Sequence, residues 1–161
     1  MNDTQKERLL ELAEDLETGD LEFDEFDFNR YKQFMACGTV GCAIGHYAKR
    51  SPDWVFDDRR NPVLVENVDL RPHADPMGDT SDHFGLPYGM GVAIFSTAYQ
   101  LRGDFEKAPY HQKQWEDLGF KYDKTADDVQ PEDVAKLIRK AITLYEEQPE
   151  HFNTNPEEIS E

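Results

Sequence analysis

Near the start of the chain Leu9, Leu10, Leu12, Ala13 and Leu16 recur three and four residues apart. That spacing lines one face of a helix and predicts an amphipathic helix over residues 4–18, with Asp3 or Thr4 as its cap and Gly19 as its stop. A second stripe, Val134, Leu137, Ile138, Ala141, Ile142 and Tyr145, follows Pro131. Proline suits a first helical position, and Glu132 and Asp133 complement the helix dipole there. Val40, Ala43, Ile44, Tyr47 and Ala48 predict a helix from Val40 to Lys49, capped by Thr39 and ended before Pro52. Met90, Ala93, Ile94, Ala98 and Leu101 predict another over residues 88–101.

Other stretches break this period. In GDLEFDEFDFNRYKQF, acids alternate with Phe23, Phe26 and Phe28, which suits a short extended piece or a turn that pins aromatics on the core. Five of the nine prolines fall between Ser51 and Pro87, where the β-branched residues Val63, Val65 and Val68 make one short run. This predicts a long irregular Pro/Asp-rich segment with room for one short β element. A connection of that length marks a binding segment or an element without an obvious pattern. The tail PEHFNTNPEEISE is polar and acidic and is expected to fray. The expected fold is therefore mainly α: a compact single helical domain over residues 1–148 and a flexible acidic tail over 149–161.

Composition narrows the function classes. The 161 residues carry Lys+Arg 17 against Asp+Glu 34, a net charge of -17, and a mean hydropathy of -0.79. Such values approach those of disordered chains, but 10 Phe, 7 Tyr and 2 Trp supply the apolar payload of a folded core. A strongly acidic surface is repelled by phosphate backbones and anionic headgroups, so direct nucleic-acid and membrane-surface binding are not expected. No apolar run approaches the roughly 20 residues that span a bilayer, and MNDTQKERLL lacks a secretory core, so the expected location is cytoplasmic. Phosphate loops, dinucleotide fingerprints, nucleophile elbows and metalloprotease pairs are all missing from the sequence.

The distinctive stretch is MACGTVGCAIGHYA, which holds both cysteines, Cys37 and Cys42. With Thr39 as cap, Cys42 falls in the first helical turn and His46 lies one turn along the same face. Gly41 and Gly45 share that spacing. Each interior glycine costs a helix about 1 kcal/mol relative to Ala, which implies that another backbone packs closely. The helix dipole near Cys42 would also favour its thiolate. CGTVGCAIGHYA resembles the CGT..C.aGha signature of a family of small, uncharacterised bacterial and phage-encoded proteins. FDFNRYKQF, FGLPYGMGVAIF and QPEDVAKLIRKAI fit the same order, so the resemblance spans residues 23–147. It implies a shared fold and carries over no catalytic residue, because the family has no assigned activity.

Four readings of these residues follow. The leading one is structural: thiols and glycines let the helix sit tightly in the core of an interaction module without catalytic activity or cofactor. Its partner would be another protein or a second copy in a homodimer. A disulfide between Cys37 and Cys42 is a variant, disfavoured in a reducing compartment. The second reading is a zinc site on Cys37, Cys42 and His46, with His73 or His83 as the fourth ligand and Asp75, Asp79 and Asp82 as further donors nearby.

The third reading is a nucleophilic Cys42 or Cys37, with His46, His73, His83 or His111 as base and Asp82 or Asp104 orienting the ring. In the fourth, the eleven acids between Asp3 and Asp27 imitate duplex phosphates and occupy a DNA-binding protein. Outside the motif, Trp54 and Trp115 are expected to anchor loops on the core, and Arg59 and Arg60 to pair with acids.

Overall fold

The computed structural model describes residues 1–21, 25–26, 40–41, 43–58, 61–70, 76–95, 112–123 and 129–152. The chain is mainly helical. Helix α1 runs Asp3–Thr18, α2 Ala43–Arg50, α3 Pro76–Phe84, α4 Tyr88–Phe95, α5 Gln112–Asp117 and α6 Pro131–Glu147. Strands β1 (Glu25–Phe26) and β2 (Val40–Gly41) pair in parallel, and β3 (Trp54–Phe56) and β4 (Pro62–Leu64) pair antiparallel with Val55 opposite Val63.

Helix α1 forms where its leucine pattern predicts, and Leu9, Leu12 and Leu16 are buried. Its cap is Asn2, one residue earlier than expected. The Asn2 side chain accepts from the Gln5 amide at 2.9 Å and Gln5 returns the bond to the Asn2 amide, which satisfies two amides that a bare helix end leaves unpaired. Gly19, at φ 76, closes the far end.

Helix α6 opens on Pro131 and buries Val134, Leu137, Ile138, Ala141 and Ile142. It packs more extensively on α1 than any other pair of elements does. Tyr145 donates to the Met1 carbonyl and Arg139 grips Glu17, so the two helices run antiparallel. Each fully buried Leu or Ile in this interface contributes roughly 1.5–3 kcal/mol over an exposed one.

Three expectations need correction. Helix α2 begins at Ala43 rather than Val40, because Val40 and Gly41 are extended and pair with Glu25 and Phe26. A β-branched valine suits that backbone. The expected helix start is therefore three residues too early, and the roles expected of Thr39 as cap and of Cys42 in the first turn fall on residues that are not described. Thr39, Cys37 and Cys42 themselves lie outside the described residues.

The second correction concerns residues 51–87, which hold the expected short β element as the β3–β4 pair but also a 3₁₀ turn at Val65–Asn67 and helix α3 in place of an irregular run. Pro76 opens α3 as Pro131 opens α6. Gly85, at φ 68, ends it, with the Leu86 amide donating back to the Ser81 carbonyl at 3.0 Å. This is a left-handed glycine stop. The third concerns the tail: Pro149–Phe152 forms a 3₁₀ turn whose Phe152 ring stands edge-on to Tyr145 at 5.3 Å.

Helix α4 is apolar on every side and buried from Gly89 to Phe95, as a helix enclosed by others must be. The predicted continuation to residue 101 lies outside the described residues. Among the described residues, no helix is long and apolar enough to cross a membrane.

Candidate functional site

Helix α2 carries two neighbouring side chains that point to different tasks. His46 is 1% exposed, and its Nε2 lies 3.1 Å from Asp15 Oδ2 on α1. A carboxylate only accepts, so Nε2 carries the proton. Arg50, one turn on, donates to the same oxygen at 2.9 Å and reaches Asp20 at 3.2 Å. Asp15 thereby clamps the end of α2 to the end of α1, where Lys49 and Arg50 also complement the helix dipole.

Tyr47, the next residue, faces the other way round the helix and meets α3. Its hydroxyl lies 3.0 Å from His83 Nε2 within buried surroundings. The rings of Tyr47, Trp54 and Phe84 all stand edge-on to the His83 imidazole, at 5.4, 5.5 and 5.1 Å. Burial, reinforced by the Arg8 guanidinium, lowers the His83 pKa to about 4. Burial also pushes the Tyr47 hydroxyl up to about 12, with the charge of Glu11 adding to it. Near neutral pH both groups are therefore uncharged.

His83 lines a surface cleft of about 410 Å³. Arg8 on α1 and Asp82 on α3 form one wall, and Arg8 donates to the His83 carbonyl at 2.8 Å, covering the C-terminal end of α3. The rest of this lining comes from the β3–β4 unit: Asp53 precedes β3, Leu64 ends β4, and Val65 and Glu66 begin the 3₁₀ turn. Asp79 on α3 ties that helix to the β3–β4 unit. It is fully buried and accepts from the Leu64 amide at 2.9 Å and from Asn67 Nδ2 at 2.7 Å.

Among the described residues, the sequence candidates take separate partners. His46 sits on Asp15 and His83 on Tyr47, while Asp79 serves the backbone of β4. Cys37, Cys42, His73, Asp75, Asp104 and His111 lie outside the described residues, as do Arg59 and Arg60. Among the described residues, no three His, Cys, Asp or Glu side chains converge as a metal would require. Trp54 and Trp115 anchor on the core as expected, at 4% and 3% exposure. The indole Nε1 of Trp54 is buried without a hydrogen-bond partner.

The cleft itself was not legible beforehand. Arg8 reads as one of two cations, with Lys6, in an acidic helix, and Tyr47 as one more apolar position. The one available signal was the Asp75-Pro76 pair, which marks a helix start and would have placed His83 on a helix. Compared with protein-family models, with curated proteins and with solved structures, the chain finds no match in any of the three.

Proposed function

We propose that this chain is a protein-interaction module without a catalytic role. The observation that carries the reading is the buried contact of the Tyr47 hydroxyl with His83 Nε2 at 3.0 Å, which occupies both groups with each other. A general base works best with a pKa near the working pH. A histidine held at about 4 beside a tyrosine held at about 12 offers neither a useful base nor a useful acid at pH 7. The same pair instead locks α2 to α3 beneath an exposed surface. A net charge of -17 keeps that surface soluble and selects for basic protein partners over nucleic acids and anionic lipids.

A zinc site on Cys37, Cys42 and His46 is the second reading. It draws support from Asp15, because ligand histidines commonly donate their other ring nitrogen to a carboxylate.

Two measurements test the proposal. Immobilised protein at physiological salt is expected to retain a saturable partner that purified material then rebinds; an empty capture overturns the module. Native mass spectrometry of protein prepared without chelator is expected to give the apo mass. A zinc mass excess that disappears on alkylation of the thiols installs the second reading in its place.

A further inference from the structure

We infer that the cleft and the aliphatic ridge beside it form a docking surface for a basic polypeptide segment, with a Lys or Arg side chain entering the cleft and an apolar side chain resting on the ridge. This rests on the interaction-module reading and gives that module a location and a partner chemistry.

The ridge comes from the turn that follows β4. Val65 is 49% exposed, Val68 46% and Leu70 73%. In 3₁₀ geometry side chains three apart eclipse one another, and the Val68 amide donates back to the Val65 carbonyl, so Val65 and Val68 stand in one row. Single exposed valines are ordinary on a protein surface. A row of them whose first member also lines a cleft is a feature of binding surfaces. The turn is held in place by buried Asp79 through Leu64 and Asn67, so the ridge is presented on a fixed support.

The lining of the cleft selects the occupant. Leu64 and Val65 supply apolar wall, and among the described residues Asp53, Glu66 and Asp82 supply carboxylates and Arg8 a guanidinium. Arg8 is already directed at the His83 carbonyl. A long basic side chain fits both parts of this lining, because its methylene stem packs on aliphatic surface while its head stays among carboxylates. A purely apolar segment would take those carboxylates out of water with nothing in return. An acidic segment would be repelled, and a second copy brings its own charge of -17.

The test titrates the full chain with a fluorescent peptide of alternating Leu and Arg at physiological salt, read by anisotropy. Peptides with Glu in place of Arg, or Gly in place of Leu, serve as controls. Asp53→Lys/Glu66→Lys and Val65→Ser/Val68→Ser alter the site, Asp123→Lys alters an exposed acid on another part of the chain, and melting curves confirm that each variant folds. Saturable binding of the Leu-Arg peptide is expected, weakened roughly tenfold by the double charge reversal and several-fold by the serines. Asp123→Lys should change it by no more than about twofold, as an exposed charge outside the cleft lining does.

No binding overturns the docking surface. So does equal weakening by Asp123→Lys, which would mean diffuse attraction, or undiminished binding of the Gly control. A dimer in sedimentation that Val65→Ser/Val68→Ser dissociates would replace the basic segment with a second copy. If captured partners bind these cleft variants as tightly as the parent chain, the location fails while the module stands. If nothing is captured at all, the module itself fails.

Discussion

Tyr47 and His83 meet at 3.0 Å although they lie 36 positions apart, and their hydrogen bond joins α2 to α3 beside the cleft that His83 lines. Both rings also pack against Phe84, which is fully buried, so the polar contact sits on the edge of the aromatic core. Burial outweighs the opposing charges of Asp53 on His83 and of Arg8 on Tyr47 and keeps the pair neutral.

That neutrality predicts a specific pH dependence. His83 has a pKa of about 4 in the fold against 6.5 in a free chain, so the unfolded state binds its proton more tightly. The stability this group provides is full above pH 6.5 and is lost as pH falls toward 4, amounting to about 3 kcal/mol across that window. His83→Gln should remove this component. Urea unfolding between pH 7 and 4.5 checks it: the difference in stability between parent and variant should shrink steadily as pH falls.

Asp79 has no solvent exposure and holds the Leu64 amide and Asn67 together. Asp79→Ala leaves the buried Leu64 amide without this acceptor, and should cost about 2–3 kcal/mol. It should also loosen the 3₁₀ turn that presents Val65 and Val68. Hydrogen exchange at Leu64 and Val65 should quicken more than at α6, and thermal melts give the stability loss.

Gly85 and Gly19 both end helices at positive φ, yet their surroundings differ. A Cβ at Gly19 meets open space, so Gly19→Ala should cost about 1 kcal/mol from backbone strain alone. At Gly85 a Cβ would lie 2.8 Å from the Met1 Cα and would press on the Gln5 side chain, which also donates to the Asp82 carbonyl. Gly85→Ala should therefore cost at least about 2 kcal/mol. Equal melting points for the two variants would show that the N-terminus yields freely.

Glu17 and Arg139 form a two-bond pair at 2.7 Å across the α1–α6 interface, and both remain well exposed. The Arg139 hydrogen bonds hold the Glu17 carboxyl below its ordinary value of 4.5. A lowered acid contributes above its unfolded pKa and loses the contribution as pH falls below 4.5 through the folded value. Because solvent screens the pair, a double-mutant cycle with Glu17→Gln and Arg139→Gln should return no more than about 1 kcal/mol at pH 7. The coupling should shrink further in high salt.

How much of this was legible depended on the range of the interaction. Helices α1 and α6 follow from stripes of Leu, Ile and Val with capping residues at their ends, because helix formation reads residues three and four apart. The same local rules failed where the stripe was interrupted. Val40 fits a helical face equally well, and only its pairing with Glu25 decides that it is extended. Residues 51–87 look like a loop because their short elements, β3, β4 and α3, are each too brief to show a period.

The sequence by itself determined the helical class, the acidic surface and the principal core stripes, all of which depend on composition and near neighbours. Only the tertiary structure decided that His46 answers to Asp15 and His83 to Tyr47, or that Arg8 and Glu66 face one cleft. Those meetings join residues dozens of positions apart. Such proximity is set by the packing of whole elements against one another, which no local pattern encodes.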